Sequence, residues 1–529
     1  MNDWWKGSAI YQIYPRSFFD SNNDGVGDLG GIVAKLDYVA SLGVDGIWIS
    51  PFFTSPMADH GYDIADYRDV DPVFGTLEDF DVLVAKAHRL GLKVIIDQVY
   101  SHTSENHAWF EESRQSRDNP KSDWYVWADP KPDGSAPNNW QSVFGGISWE
   151  WESRRRQYYL HNFAKQQPDL NYHCEALQEE ILDTARFWLE RGVDGFRLDA
   201  VNLLYHHKDL LDNPPSRPGD MAFLGTEGPQ RPYFYQAHDH DHTQPETIAF
   251  LERLRKVTDS YGARFMVGEL GAPFETCVDY TKGEGRLHTC YSFPLLVCSE
   301  LNAELVREFV QPWNGVDAWP SWAFSNHDVT RALSRFSQEG NETFAKLLNA
   351  LLLCLRGTVF MYQGEELGLV QAHVPMESIE DPLALNTDSP GASRDGCRTP
   401  MPWSKGAANS GFSQAKPWLP VDPRHDATAV DQQDGDPASI LNFTRRLLRL
   451  RKQHPALKAG SLKFIDAPVG LLLFVREHEG ERLICGFNLT SGALAYELEA
   501  SSDLLELDLG TSLSDGVVRV LPFGAFIAQ

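Results

Sequence analysis

The feature that most constrains this chain is a rhythm. A short β-type run is followed by an amphipathic helical stretch, and the pattern repeats from near the N-terminus to about residue 362. The β-type runs are Ala9–Ile13, Gly46–Ser50, Lys93–Val99, Gly195–Val201, Phe265–Leu270, His288–Phe293, Ser321–Ser325 and Thr358–Tyr362, the sixth being the least regular. Between several of them apolar residues return every three or four positions: Ile32, Leu36, Val39, Leu42; then Leu77, Phe80, Val84, Ala87; then Ile181, Ala185, Trp188, Leu189. That is the period of a helix with one buried face. Several helical runs stop at glycine, as at Gly43, Gly91 and Gly192, a usual helix terminator. Strands that alternate with helices pair in parallel, and eight of them predict an α/β fold, a closed (β/α)₈ TIM barrel.

Two stretches break the rhythm. Residues 102–168 are aromatic, polar and irregular, with Pro132, Pro137 and Gly145–Gly146, which predicts a subdomain inserted after the third strand. After Pro455 come short β-type runs such as Leu471–Val475 and Arg482–Phe487, separated by turn residues, which predict a C-terminal antiparallel β-domain. The expected division is therefore 1–101 and 169–455 for the barrel, 102–168 for the insertion and 456–529 for the β-domain. The Pro-, Asp- and Ser-rich stretch Ile379–Gly396 reads as a long loop, and long loops on barrels often shape sites.

Composition narrows the partners. With 74 acidic and 47 basic residues among 529, the formal net charge is −27. Such a surface repels phosphate backbones and anionic membranes, so neither nucleic acid nor membrane is expected as a partner, whereas a neutral sugar is indifferent to it. The seven cysteines (Cys174, Cys277, Cys290, Cys298, Cys354, Cys397 and Cys485) are odd in number and show no C-x-x-C pair. They suggest neither a disulfide framework nor a zinc site, but small buried side chains in a reducing compartment. The N-terminus has no apolar signal core, and the longest apolar run, near Leu347–Leu355, is too short for a bilayer. The expectation is a cytoplasmic monomer or weak homodimer.

In such barrels chemistry sits at the C-terminal strand ends, and here those ends carry acids. The third strand runs into Asp97 and on to His102, the fourth into Arg197 and Asp199, the fifth into Glu269, the seventh into His327-Asp328. An acid among apolar β-residues is costly to bury without a partner. One such acid reads equally well as half of a structural salt bridge; four at equivalent strand ends point to convergence. Converging carboxylates with an arginine suit glycoside hydrolysis, where one acts as nucleophile and another as acid and base.

These same residues resemble the signature regions of the α-amylase family, glycoside hydrolase family 13: Asp97–His102, Gly195–Asn202, Glu269 and Phe324–Asp328. Gly43–Pro51, Gln167–Asn171, Gly357–Gly368 and Arg398–Trp403 also match, in order along the chain. The Gln-Pro-Asp-Leu-Asn and Arg-Thr-Pro-Met-Pro-Trp segments are similar to the α-glucosidase and oligo-1,6-glucosidase branch. The resemblance implies Asp199 as nucleophile, kept ionised by Arg197, and Glu269 as general acid and then base. It implies that Asp328 stabilises the oxocarbenium-like transition state, that His102 and His327 hydrogen-bond the sugar, and that Asp97 orients its neighbours. Asp59 and Tyr62 would grip the terminal glucose, and Arg398 would close the pocket against Asp59. The implied activity is an exo-acting retaining α-glucosidase on small α-glucosides. Ala200, directly after the implied nucleophile, stands where relatives specialised for α-1,6 bonds carry valine and those preferring α-1,4 bonds carry alanine or threonine. It implies an α-1,4 preference.

Sugar or alcohol acceptors intercepting the same intermediate would make the protein a transglucosidase or a sucrose isomerase. The loop after the fourth strand, with Asn213–Pro218 and Tyr233–Tyr235, is where acceptor geometry would be set. A non-catalytic transporter-accessory barrel would lack the carboxylate trio and carry a transmembrane helix; this sequence has the trio and no such segment.

Asp20, Asn22, Asp24, Val26 and Asp28 alternate around Gly25 like the front half of an EF-hand loop, but Gly31 stands where the twelfth-position glutamate belongs. Similar loops in the resembled branch bind calcium or magnesium, through these acids and the carbonyl at Val26. One structural divalent cation, and no organic cofactor, is therefore expected. His238-Asp-His-Asp-His242 reads as a solvated loop, because adjacent residues seldom converge on one ion unaided. Trp140, Trp149, Trp151, Tyr158 and Tyr159 read mainly as packing of the inserted subdomain.

Overall fold

Eight strands form one parallel sheet: Ala9–Ile13 (β1), Gly46–Ile49 (β2), Lys93–Gln98 (β3), Gly195–Leu198 (β4), Phe265–Gly268 (β5), Thr289–Cys290 (β6), Ser321–Trp322 (β7) and Thr358–Tyr362 (β8). This computed structural model describes every residue except 1–2, 221–230, 388, 499–501, 506 and 508, so one position of the 379–396 loop and part of the loop after β4 lie outside the described residues. The strand order is β6-β5-β4-β3-β2-β1-β8-β7. A parallel bridge between Tyr291 and Ser321, with the Ser321 hydroxyl donating to the Cys290 carbonyl at 2.7 Å, joins the two edges and closes the barrel. β6 and β7 are only two residues long, and so short a strand leaves little periodicity to read at the sixth position.

Side chains two apart on a strand share a face. Ile10, Trp48, Ile95, Phe265, Val267, Tyr291, Ala323 and Phe360 form a buried cluster with Trp5, which fills the barrel interior. Their neighbours Tyr11, Ile13, Ile47, Ile49, Val94, Ile96 and Phe196 belong to the larger core under the helices. Both faces are buried, so these strands read as continuous apolar runs. Each fully buried side chain of this kind contributes about 1.5–3 kcal/mol.

The helices do as their spacing predicts. Leu29–Leu42 buries Ile32, Leu36, Val39 and Leu42, starts at Asp28, whose carboxylate caps the Gly31 N–H, and stops where Gly43 takes φ 94°. Leu77–Arg89 begins with a capping box of Thr76 and Asp79, which satisfies two orphan N–H groups.

Between β3 and β4 the chain forms an antiparallel sheet of Trp127–Ala128, Gln157–Leu160 and Trp149–Glu152. Trp140 and Trp149 stack at 5.9 Å within its core, whereas Trp151 is exposed. The aromatic cluster is thus mainly packing. After the helix Ile440–Gln453, the strands Ser461–Phe464, Leu471–His478, Glu481–Asn488 and Ala525–Ala528 pair in one antiparallel sheet, and a second, three-stranded sheet follows. Arg476 is buried at this junction and donates to the carbonyls of Cys354, Gly460 and Ser461, which ties the β-domain to the barrel. All seven cysteines are free, and five of them are buried. Among the described residues no helix is long and apolar enough to cross a membrane.

Candidate active site

The strand alternation that fills the barrel also builds the site. Going up the inward face, β3 passes from Ile95 to Asp97, β4 from Gly195 to Arg197 and then Asp199, and β5 from Val267 to Glu269. An apolar floor gives way to a charged layer at the C-terminal rim. Asp97 pairs in register with Arg197, and Arg197 with Val267. The sheet hydrogen bonding continues past the strands, from the Asp199 N–H to the Gln98 carbonyl and from the Glu269 N–H to the Leu198 carbonyl.

Register and alternation therefore place one guanidinium among three carboxylates. Arg197, fully buried, donates through Nη1 to Asp97 Oδ1 at 2.8 Å and to Asp199 Oδ1 at 2.6 Å. Its Nη2 lies 2.8 Å from Glu269 Oε2, a charge contact without an aligned hydrogen bond. One positive charge cannot neutralise three negative ones in a dry site, and a proton on one acid halves the surplus. Burial pushes Glu269 up to about 8 against Arg197, with Asp199 and Asp328 adding to the rise. Burial also raises Asp199 and Asp97, each to about 6, while Arg197 pulls both down. The proton therefore belongs to Glu269. Its Oε2 is taken by Arg197 and by the Ala200 N–H at 3.1 Å, which leaves Oε1 to carry the proton.

Asp328 follows β7. Burial alone would raise its carboxyl, but His327, Arg394 and Arg398 hold it well below the usual carboxylate range. We attribute this mainly to the two arginines, because burial drives the His327 imidazole well below its ordinary value and so towards neutrality. Arg398 Nη2 donates to Asp328 Oδ1 at 2.8 Å, and Arg394 Nη1 does so at 3.2 Å.

Asp97 also accepts from Trp48 Nε1 at 3.2 Å and from the Tyr62 hydroxyl at 3.1 Å, so it orients its neighbours as expected. Gln12 Nε2 meets His327 Nδ1 at 2.8 Å, and His327 Nε2 lies 2.5 Å from the Tyr62 oxygen. With Nδ1 accepting, Nε2–H donates to Tyr62, which in turn donates to Asp97. His327 is fully buried, whereas His102 lines the pocket and bonds the Tyr62 carbonyl through Nε2 at 3.0 Å. Burial lowers His102 to about 4, which keeps it neutral.

One expectation needs correction. Arg398 does not close the pocket against Asp59; it is fully buried and engages Asp328 and the His327 carbonyl, the latter at 2.7 Å. The closing residue is Arg394. Its Nη2 donates to Asp59 Oδ1 at 2.9 Å, and Asp381 grips the same guanidinium at 2.7–3.1 Å. Arg394 also lies over the Phe144 ring of the insertion, 5.1 Å away, a cation–π contact. Arg394 is the N-cap and Arg398 the last residue of the four-residue helix Asp395–Arg398. Which of them faces the pocket depends on how that turn is rotated, and the sequence carries no signal for it. Asp381, Gln12 and Trp48 were missed for the same reason, since each acts across more than 12 residues of chain. Asp59 is further held by Gln167 at 3.2 Å, which gives the Gln-Pro-Asp-Leu-Asn segment a physical task.

The cavity bounded by Asp59, Tyr62, His102, Asp199, Glu269 and Asp328 is walled by Phe144, Phe163, Leu203, Phe234, Phe293 and Val329. Ala200 is part of the wall and takes φ 40°, ψ 46°, in the left-handed region. Tyr233, from the loop after β4, also reaches this cavity.

The Asp20–Asp28 loop is an Asx-rich turn that holds itself. Asp20 accepts from the N–H groups of Asn22, Asn23 and Gly25, Asp24 from that of Val26, and Asp28 from those of Ser21 and Gly31. The donor set is all oxygen, as a hard divalent cation requires, and a carboxylate has lone pairs beyond one bond per oxygen. Asp20, Asp24 and Asp28 do not bring their carboxylates together within 4.8 Å as a group. An ion there would draw on Asn22 and the Val26 carbonyl as well.

A closed parallel barrel that gathers carboxylates and an arginine at its C-terminal rim, in a cleft with apolar walls, defines a barrel glycoside hydrolase. The chain belongs to the α-amylase family, whose catalytic domain matches residues 12–460. It is 49% identical to a probable alpha-glucosidase of Rhizobium meliloti (strain 1021), over 100% of this chain and 97% of that protein. Among solved structures it is similar to the alpha-glucosyl transfer enzyme XgtA (TM-score 0.96, 50% identity, 100% of this chain and 99% of that one). It is also similar to the trehalulose synthase MutB of Pseudomonas mesoacidophila MX-45 (TM-score 0.89, 32% identity, 99% of each).

Proposed function

We propose that this chain is an exo-acting α-glucosidase that retains anomeric configuration through a glucosyl-enzyme on Asp199. The carrying observation is the split among the acids around Arg197: Glu269 raised to about 8, Asp199 to about 6 and Asp328 held low. At neutral pH this gives an ionised nucleophile, a protonated acid and a fixed negative charge, which is the division of labour that glycosyl transfer needs. Glu269 protonates the leaving oxygen while Asp199 attacks the anomeric carbon; then water, deprotonated by Glu269, releases α-glucose. Asp328 and neutral His102 face the bound sugar, and neutral His327, buried behind the pocket, positions Tyr62. The Asp59–Arg394 pair stands as a wall behind the terminal glucose, so only chain ends enter. Ala200 supports an α-1,4 preference, because a β-branched residue at that wall would crowd a stiffly held α-1,4-linked leaving sugar. In the Asp20–Asp28 loop a structural divalent cation would brace the turn after β1 without touching the chemistry.

Transfer to sugar or alcohol acceptors is the second reading. It is favoured by the apolar walls around the acids and by the likeness to a glucosyl transfer enzyme and a trehalulose synthase. Proton NMR of the first-formed glucose from a nitrophenyl α-glucoside tests the mechanism: the α-anomer is expected, no turnover is expected from Asp199→Asn, and a β-anomer would sink the assignment. Product analysis on maltose, isomaltose and sucrose apportions hydrolysis and transfer.

A further inference from the structure

His238, Asp241 and His242 were expected in a solvated loop. The structure buries His238 and Asp241 and half-buries His242, and brings one ligand atom from each within 4.8 Å of the others. The three sit where the loop after β4 returns to the barrel. His242 lines the catalytic cavity and, with His238, a second cavity beside it.

The hydrogen bonding of the group is incomplete in an informative way. His238 Nε2 meets the Tyr233 carbonyl at 2.9 Å, so that nitrogen carries a proton. In the neutral ring Nδ1 then presents a lone pair, and it faces Asp241 Oδ2 at 2.6 Å. Two lone pairs at that distance need a cation between them, either a second ring proton, which makes an imidazolium–carboxylate pair, or a metal ion. Among the described residues the other carboxylate oxygen, Asp241 Oδ1, is buried with no hydrogen-bond partner, and leaving such a bond unmade costs about 1–3 kcal/mol. His242 bonds Thr243 Oγ1 through Nδ1 at 2.7 Å, which leaves Nε2 for another partner.

We propose that His238, Asp241 and His242 form a transition-metal site of the zinc class at the rim of the catalytic cavity. Two imidazole nitrogens and one carboxylate suit Zn²⁺, Co²⁺ or Ni²⁺ and not the hard cations of an all-oxygen loop. The Tyr233 carbonyl and Thr243 hydroxyl are the outer partners that fix ligating imidazoles. The movement required is on the ångström scale, with ligand atoms that lie within 4.8 Å of one another closing on the ion. Metal bonds of about 2.0–2.2 Å at a tetrahedral angle separate the two ligand atoms by roughly 3.4 Å, so His238 Nδ1 and Asp241 Oδ2 need part by less than about 1 Å. The fourth position is reached from the cavity that His242 lines. An ion there also anchors Tyr233 and Phe234, which wall the catalytic cavity.

Titration of the full chain with Co²⁺ and Zn²⁺ tests this, using a chromophoric chelator as competitor and an excess of Ca²⁺ to occupy the Asp20–Asp28 loop. One equivalent should bind, the Co²⁺ form should show the intense visible bands of four-coordination, and Zn²⁺ should displace it. His242→Gln, at the most accessible of the three, should weaken binding by roughly 100-fold or more. Asp241→Asn should do the same where it folds, and His242→Gln decides alone where it does not. Absence of stoichiometric binding, or equal affinity in His242→Gln, overturns the site.

Discussion

Glu269 offers a test in which catalysis and stability move in opposite directions. In the folded protein burial lifts its carboxyl to about 8, whereas the same group in an unfolded chain titrates near 4.5. Between these values the folded state holds a proton that the unfolded state has lost. The associated stability is fully present below about pH 4.5 and is lost as pH rises through about 8. At about 1.4 kcal/mol per pH unit, the separation sets a ceiling of about 5 kcal/mol. Glu269→Gln keeps the shape and removes the charge. At pH 5 both proteins present a neutral side chain to Arg197, so their difference is the fixed effect of the amide. At pH 9 only the wild type carries a third buried carboxylate beside Arg197. The mutant's melting temperature, relative to wild type, should therefore climb from pH 5 to about pH 8 and level off above it. Turnover should fall by about 10²–10⁴-fold, as loss of a general acid–base does. The assay is paired thermal unfolding across that range, alongside kcat/KM profiles in which wild type shows limbs near 6 and 8. A melting difference that is flat, or that falls with pH, refutes the electrostatic reasoning even if activity is lost.

Arg394→Ala should leave Asp59 and Asp381 without their cationic partner, while Asp328 keeps Arg398. Removing one partner of a buried pair costs about 3–5 kcal/mol, and kcat/KM for maltose should fall at least 100-fold, which steady-state kinetics reads directly. Asp24→Ala should lower the melting temperature and remove its response to added calcium, with the activity of the folded fraction largely intact; chelation that stops catalysis at once without unfolding would make the ion catalytic. Ala200→Val should lower kcat/KM for maltose relative to isomaltose by an amount worth about 1–3 kcal/mol. It should also cost stability, because a β-branched residue is strained at φ 40°. An unchanged substrate ratio removes Ala200 from the specificity argument.

Much of this protein is local and was therefore legible in the sequence. Period-3.6 runs and glycine stops mark the helices, and apolar β-runs mark all eight strands to within a few residues. The charged layer follows from alternation alone: once Ile95 faces inward Asp97 must, and the same holds for Arg197 and Asp199. The acids at the rim and the all-oxygen donor set of the Asp20–Asp28 turn needed nothing beyond residue type and spacing.

Tertiary structure decided what depends on rotation and on distant chain. Arg394 and Arg398 are one helical turn apart, and only the path of the 379–398 segment turns the first toward Asp59 and the second under Asp328. His238 and Asp241 look solvated among polar neighbours, yet the return of their loop to the barrel buries them. The protonation order among Asp97, Asp199 and Glu269 belongs to neither composition nor motif. It arises because three strands, separated by up to 172 positions of sequence, converge on one guanidinium in a site too dry to tolerate three unpaired charges.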